Sequence, residues 1–324
     1  MTKTKSGIIP AKRAIFEMQS DLEAIESNSS IYEEKGFDKR MEAIDFIGFH
    51  LIDRIGVLLQ KAPQPAQLIL LKHHAEKIRA GLEEIDSNLF KKLQTDIRGG
   101  KYKGKELKSL INEYFDFNLD DNEHREDPCY DNLDSFINRL FPLQTTPGQT
   151  RELEPEMVYY QKTPARIVFE LVEKSDFKKE DVFFDLGSGL GQVAILVSLL
   201  TGITVKGVEF EPAFCNYARY CAAELNLSNV TFINADAREA DYAEGTVFFM
   251  FTPFKGEILQ EVLELLRKEA LQRRIKIITY GPCTTEVALQ SWLHVEEPIA
   301  DHVYKLSVFN SLMGMTGIYA NLSE

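Results

Sequence analysis

Cysteine is sparse in this chain, with four among 324 residues. Cys129, Cys215, Cys221 and Cys283 make no C-x-x-C pair and join no His/Cys cluster, which excludes a disulfide framework and structural zinc. No metal site is expected. Long apolar runs are missing as well: charges cut every hydrophobic stretch well short of the roughly eighteen residues that cross a bilayer. Met1-Thr2-Lys3-Thr4-Lys5 leads into a charged amphipathic stretch with no signal-peptide core. The expectation is a soluble, cytoplasmic protein with reduced thiols and no membrane partner. Positive charge is also in deficit, since 37 Lys and Arg face 50 Asp and Glu, a formal net charge of −13. Coating nucleic acid demands a positive face, so that class is excluded. One local exception gathers Lys91, Lys92, Arg98, Lys101, Lys103, Lys105 and Lys108 around Gly99-Gly100 and Gly104. It reads as a solvated loop, with a weak polyanion contact the only nucleic-acid interaction it offers. An acid-rich stretch from Asp116 to Asp134 follows it.

The chain divides into a helical part, residues 1–145, and an α/β part, residues 146–324. In the first, Ile44, Ile47, Leu51, Ile55 and Leu58 recur at helical steps and predict one apolar face over residues 39–60. Pro63 and Pro65 break the chain. Leu68, Leu71, Ala75, Ile78 and Leu82 then define a second helix that supplies the partner face. Shorter helical patterns cover 106–115 and 132–141. Turn chemistry from Pro142 to Gln149 marks the boundary.

Beyond it, apolar Val182-Phe183-Phe184 reads as a strand and Gln192 to Val197 as a buried helix. Between them lies Asp185-Leu186-Gly187-Ser188-Gly189-Leu190-Gly191, a glycine-rich strand-to-helix turn of the kind that admits a nucleotide-like ligand. A dinucleotide fingerprint needs its third glycine one residue later, at Gln192. The strand also ends in Asp185, whose carboxylate would repel a pyrophosphate and suits a cationic ligand. A second strand, 203–208, ends in Glu209, placed to accept the two hydroxyls of a ribose. A helix from Pro212 to Leu225 follows. A third strand, 230–233, is followed by Asp236 and Ala237, where an adenine amino group would sit. A structural turn, a helix N-cap or a solvated charge accounts for any one of these features. Acids at three successive strand ends are harder to explain in that way. Strands at 246–251 and 275–280, a helix at 257–269 and an antiparallel pair around Val295 and Tyr304-Leu306-Val308 complete a Rossmann-like, doubly wound, seven-stranded sheet.

The acid-x-Gly-x-Gly-x-Gly pattern resembles that of class I methyltransferases, which bind S-adenosyl-L-methionine. The stretch from Tyr159-Tyr160-Gln161-Lys162-Thr163-Pro164 through Asp181 to Val193 resembles, more narrowly, the disruptor-of-telomeric-silencing family of non-SET histone-lysine methyltransferases. The likeness covers roughly residues 158–260. It implies that Tyr160 and Thr163 belong to a loop folded over the methionine part of the cofactor, and that Gln192 contacts the cofactor. Two positions depart from the family: Lys162 replaces a loop glutamate, and Met250-Phe251-Thr252-Pro253-Phe254 replaces an asparagine-rich acceptor segment.

These readings give a cofactor set of Tyr160, Thr163, Asp185, Gly187, Gly189, Gly191, Gln192, Glu209, Asp236 and Ala237. Methyl transfer from a sulfonium is an in-line displacement that needs positioning rather than a protein nucleophile. Tyr160, Thr252 and Phe254 are the acceptor-side catalytic candidates, with Tyr280 beside them. The expected activity is methylation of an amine, with protein lysine leading because of the resemblance and the helical part covering or presenting the acceptor. A small-molecule N- or O-methyltransferase is the enzyme alternative. A catalytically silent, cofactor-binding interaction protein is the third reading.

Overall fold

The computed structural model describes residues 8–60, 66–115, 128, 130–142, 145–299 and 302–312. Met1 to Lys5, Pro63, Pro65, Cys129 and most of the acid-rich stretch after Asp116 lie outside the described residues. The chain forms two compact units, one of residues 1–93 and 111–116, the other of 94–110 and 117–324. Residues 94–110 and 132–141 therefore group with the sheet, although composition had singled out a boundary near 145. The Gln94 side chain donates to the carbonyls of Arg139 and Phe141, and the Gly104 N–H donates to Leu199 O at 2.7 Å.

In the first unit, α1 (Ile8–Glu26) and a 3-10 turn (Ser29–Tyr32) precede α2 (Phe37–Asp45). The helix expected over 39–60 is present, but it passes through a π-helical turn, Phe46–Ile52, before continuing as α3 (Asp53–Leu59). Apolar spacing does not report such a turn, because Ile47 and Leu51 stay buried through it. Helix α4 (Ala66–Arg98) follows. It runs well past Leu82 because Leu89, Phe90, Leu93 and Ile97 extend its apolar face. Met18, Leu22, Ile31, Ile44, Ile47, Leu51, Ile55, Leu68, Leu71, Ala75 and Leu82 pack into one core. Within it, fully buried Arg40 pairs with fully buried Asp86 at 2.6 Å and donates to the carbonyls of Ile31 and Glu33 at 2.8 Å each.

The basic stretch is not a simple loop, because Lys91 to Arg98 end α4 and Lys105 opens α5 (Lys105–Asn112). Much of its charge is answered in the second unit. Arg98 pairs with Glu224 at 3.3 Å, Lys101 with Asp96 at 2.8 Å and Lys108 with Glu173 at 3.0 Å.

The second unit goes on with α6 (Asn132–Leu140) and α7 (Ala165–Ser175), then the strands β1 (Val182–Leu186), β2 (Thr204–Glu209), β3 (Val230–Asn234), β4 (Val247–Met250) and β5 (Lys276–Thr279). These five are parallel and lie in the order β3-β2-β1-β4-β5. Strands β6 (Leu293–Val295) and β7 (Ser307–Ser311) pair antiparallel, and β7 sits between β5 and β6. Helices α8 (Gln192–Thr201), α9 (Pro212–Glu224) and α10 (Gly256–Ala270) follow β1, β2 and β4. A short helix not apparent from the sequence, α11 (Cys283–Ala288), follows β5. Continuous apolar strands such as β4, with Val247, Phe248, Phe249 and Met250 all buried, need cover on both faces, which is why the sheet is wound on both sides. Strand order reverses between β1 and β4, and a doubly wound sheet opens a crevice at the carboxyl ends beside that point.

Candidate active site

The crevice is built on the turn after β1. Gly187, Gly189 and Gly191 have φ of +74°, +53° and +79°, a region costly for any residue with a Cβ. Close packing adds to the requirement. A Cβ on Gly189 would run into the Tyr160 ring, and one on Gly191 would meet Ala218 at 2.7 Å. The turn thus brings α8, α9 and the loop before α7 against β1 at contact distance. Gly187 lines the crevice, whereas Gly189 and Gly191 shape the wall behind it.

The strand ends deliver the acids. Glu209, at the end of β2, accepts from the Gly189 N–H and the Glu211 N–H at 2.7 Å each. Burial raises its pKa, and those backbone donors restrain the rise. Its carboxylate keeps acceptor capacity beyond these two bonds. Asp185, at the β1 edge of the turn, is buried more completely. Burial first, then the Glu209 carboxylate, push it up to about 7, against a hydrogen bond from the Ala194 backbone. Among the described residues, Asp185 Oδ2, Ser188 Oγ and Gln192 Oε1 are buried without a hydrogen-bond partner. All three residues line the same crevice. Gln192 directs its amide nitrogen to Thr163 O at 3.4 Å, which leaves its oxygen as the orphan. Two unsatisfied oxygen acceptors suit a ligand bearing N–H or ammonium donors and oppose a phosphate.

Asp236 also lines the crevice, but Arg238 grips it, with Nε on Oδ1 at 3.0 Å and Nη2 on Oδ2 at 2.7 Å. Those contacts hold the Asp236 pKa below its ordinary value. Arg238 reaches on to Glu154 at 2.6 Å. Ala237 is buried beside it and its carbonyl accepts from the Tyr242 hydroxyl at 2.6 Å.

On the other side, Tyr160 packs on Phe214 with ring centroids 5.4 Å apart, and burial raises its phenol pKa well beyond the ordinary range. Thr163 is buried. Phe254 is buried more deeply than its acceptor-side assignment suggests, packed in the core with Ile258, Leu259 and Met157 while still lining the crevice. Thr252 has φ +43°, a conformation that is a true outlier for a β-branched residue. The Cys283 N–H donates to its hydroxyl at 3.1 Å, and that hydroxyl donates to Tyr280 O at 3.4 Å. Tyr280 is buried between Phe251, at 4.9 Å, and Tyr304, at 5.8 Å between centroids.

Several lining residues escaped the sequence reading. Tyr304 was assigned to the last strand but precedes it and faces the crevice. Glu211 caps α9 through the Ala213 N–H at 2.9 Å and gathers the Thr150 and Arg151 N–H groups at 2.8 and 2.7 Å. Burial opposes its ionisation, yet the Thr150 hydroxyl and these backbone donors hold it at about 2. An acid directly before Pro212 is a capping signal that could have exposed it.

Comparison with known proteins accords with this geometry. Residues 155–288 match the family described as histone methylation protein DOT1. Solved structures with a similar fold include an RNA methyltransferase from Salinibacter ruber in complex with S-adenosyl-L-homocysteine. It is 23% identical, with a TM-score of 0.40 over 48% of this chain and 95% of that one. A precorrin-6y C5,15-methyltransferase from Geobacter metallireducens GS-15 is 16% identical, with a TM-score of 0.38 over 49% and 93%. A SAM-dependent methyltransferase from Aquifex aeolicus is 19% identical, with a TM-score of 0.36 over 44% and 88%. No curated protein sequence matches the chain. The part of the chain that carries the glycine turn and the acids of the crevice thus matches the DOT1 histone-methylation family across residues 155–288.

Proposed function

We propose that the protein transfers a methyl group to an amine, with a protein lysine as the leading acceptor. The match to a histone-methylation family over 155–288 carries this reading. The cofactor, when bound, supplies a methyl group already activated on a sulfonium. Asp185 Oδ2 and Gln192 Oε1 then take ammonium hydrogens and Glu209 takes the ribose hydroxyls. Tyr160 closes over the glycine turn and excludes water. Asp236, oriented by Arg238, and the backbone at Ala237 face the adenine. Phe251, Thr252 and Tyr304 border the acceptor side and carry no carboxylate of their own to pair with an ammonium. With the cofactor bound, these residues would position a neutral acceptor amine to receive the methyl group, and the amine proton would pass to solvent.

Nucleosomal DNA is a poor match for this chain. Three of the seven cations in its basic stretch, Arg98, Lys101 and Lys108, are paired with Glu224, Asp96 and Glu173. We therefore place the acceptor among proteins other than nucleosomes, in a reducing compartment such as the cytoplasm. Cys215, Cys221 and Cys283 are buried thiols outside any disulfide, in keeping with that. Incubating the protein with methyl-labelled cofactor, a cell extract and, separately, nucleosomes should put label into the non-histone protein fraction. Label confined to small molecules would transfer the assignment to a small-molecule methyltransferase, and robust nucleosomal labelling would show that the charge argument is misplaced.

Asp185 gives the site a pH signature. A carboxyl raised to about 7 is partly protonated at neutrality in the free protein. An ammonium favours the carboxylate, so binding expels the proton, and affinity for S-adenosyl-L-homocysteine should climb with pH and level off above about 7. Its share of folding stability has the same origin. It is fully present below the unfolded value near 3.8 and is lost as pH rises through about 7. Calorimetry near pH 7 in two buffers of different ionisation enthalpy should register proton release, and Asp185→Asn should abolish it. No release, with affinity flat across this range, would remove Asp185 from the ammonium site.

A further inference from the structure

The segment 158–164 has no regular secondary structure, yet it supplies Val158, Tyr160 and Thr163 to the crevice. Something outside its own backbone must hold it. At one end the Val158 N–H donates to Pro253 O at 3.0 Å, next to a bridge between Met157 and Phe254. The other end is held by α6 and the residues before it. Asp134 Oδ1 accepts from the Ala165 N–H at 2.7 Å, Lys162 Nζ donates to Asn138 Oδ1 at 2.7 Å, and the Tyr130 hydroxyl donates to Lys162 O at 2.6 Å. Asp134 is itself fixed by the capping box of α6, where its Oδ2 accepts from the Asp131 N–H at 2.9 Å.

Lys162 is the informative member. A lysine on an irregular loop ordinarily keeps its ammonium in water, because holding it in place costs side-chain entropy and part of its hydration. Here the ammonium is half-buried and turned to Asn138, and burial lowers its pKa while nearby Asp134 opposes the fall. The next residue, Thr163, offers the carbonyl that orients the Gln192 amide and so leaves Gln192 Oε1 as the orphan acceptor. The loop's register on α6 is thereby linked to an atom of the crevice.

We propose that Lys162, seated on Asn138 of α6 with the Asp134 charge nearby, is a positioning residue for cofactor binding. It holds Tyr160, Thr163 and, through Thr163, Gln192 in place without touching the ligand. This rests on the reading that the crevice holds the cofactor. The test measures S-adenosyl-L-homocysteine affinity for the intact chain and for Lys162→Met, Asn138→Ala, the double variant and Lys162→Arg, with hydrogen exchange of the 159–163 amides alongside. Each single variant should bind roughly tenfold more weakly, because the loop released from α6 must then be ordered when the ligand binds. The double variant should be no weaker than either single, Lys162→Arg should bind nearly as the parent, and exchange should quicken at 159–163 with β1 unchanged. Parent-like affinity in Lys162→Met, or losses that multiply in the double variant, would overturn the proposal. Should Lys162→Met fail to fold, Asn138→Ala decides alone, and parent-like affinity there refutes it. Glu209→Ala serves as the control for the crevice itself: if that variant binds as the parent does, the cofactor reading fails independently of the clamp.

Discussion

Glu209→Ala protein should bind S-adenosyl-L-homocysteine about ten- to a hundredfold more weakly, the equivalent of roughly 1.5–3 kcal/mol for hydrogen bonds to a charged group. The carboxylate already holds the Gly189 and Glu211 N–H groups, so it is fixed in place before any ligand arrives. Nothing is spent on ordering it when a ribose binds. The same two bonds mean that alanine also leaves two backbone donors without their acceptor, so some stability should be lost together with affinity. Glu209→Gln narrows the second effect: it keeps the volume and one oxygen acceptor for one of the two backbone donors while its NH2 faces the other, so it should lose less stability than alanine while still binding weakly. Calorimetric titration of both variants, with thermal melts alongside, reads both quantities. Undiminished affinity in folded Glu209→Ala would place the ribose elsewhere.

Arg40→Met should destabilise the helical unit by about 3–5 kcal/mol, a large part of the roughly 5–15 kcal/mol available to an ordinary domain. The guanidinium answers a carboxylate that has no access to water, and also satisfies two carbonyls in the turn before α2. Removing it strands a buried charge and the buried Ile31 carbonyl at once. Arg40→Met combined with Asp86→Leu removes both charges and should recover much of the loss, though not all, because Ile31 O and Glu33 O still lack their donor. Denaturant titration followed by circular dichroism tests both, and a midpoint for Arg40→Met close to that of the parent would contradict the argument.

The features that were legible before the structure are those whose physics is local. Glycines at Gly187, Gly189 and Gly191 announce a backbone that must turn left-handed, and acids directly after apolar strands announce the carboxyl edge of a parallel sheet. The structure gathers Asp185, Glu209 and Asp236 around one crevice for that reason. What stayed hidden depends on partners distant in the chain. Tyr304 alternates with Leu306 and Val308 as a strand residue would, and only the late start of β7 at Ser307 frees it to face the crevice. Arg238 follows Asp236 by two residues, but that it would close on the carboxylate depends on the loop after β3. The π-helical turn at Phe46–Ile52 leaves no mark on apolar spacing. Helix α6 carried a visible apolar face, while its hold on Lys162 rests on tertiary placement.

The crevice lining contains Asp185, Glu209, Glu211 and Asp236 and, among the described residues, no lysine or arginine. Such a surface has a negative potential carried mainly by Glu209 and Glu211, because Arg238 answers Asp236 and Asp185 is partly protonated, and low-dielectric walls concentrate it. On the proposed function, the donor and the spent cofactor that enter the crevice differ in just the property that this potential senses. The methyl donor carries a net positive charge on arrival, whereas the spent molecule, its sulfonium demethylated to a thioether, leaves with none. The field therefore draws in the charged form and does less to retain the neutral one, which biases traffic through the site in the direction of turnover. Because this bias acts at long range, dissolved salt weakens it before it weakens the hydrogen bonds of the bound state.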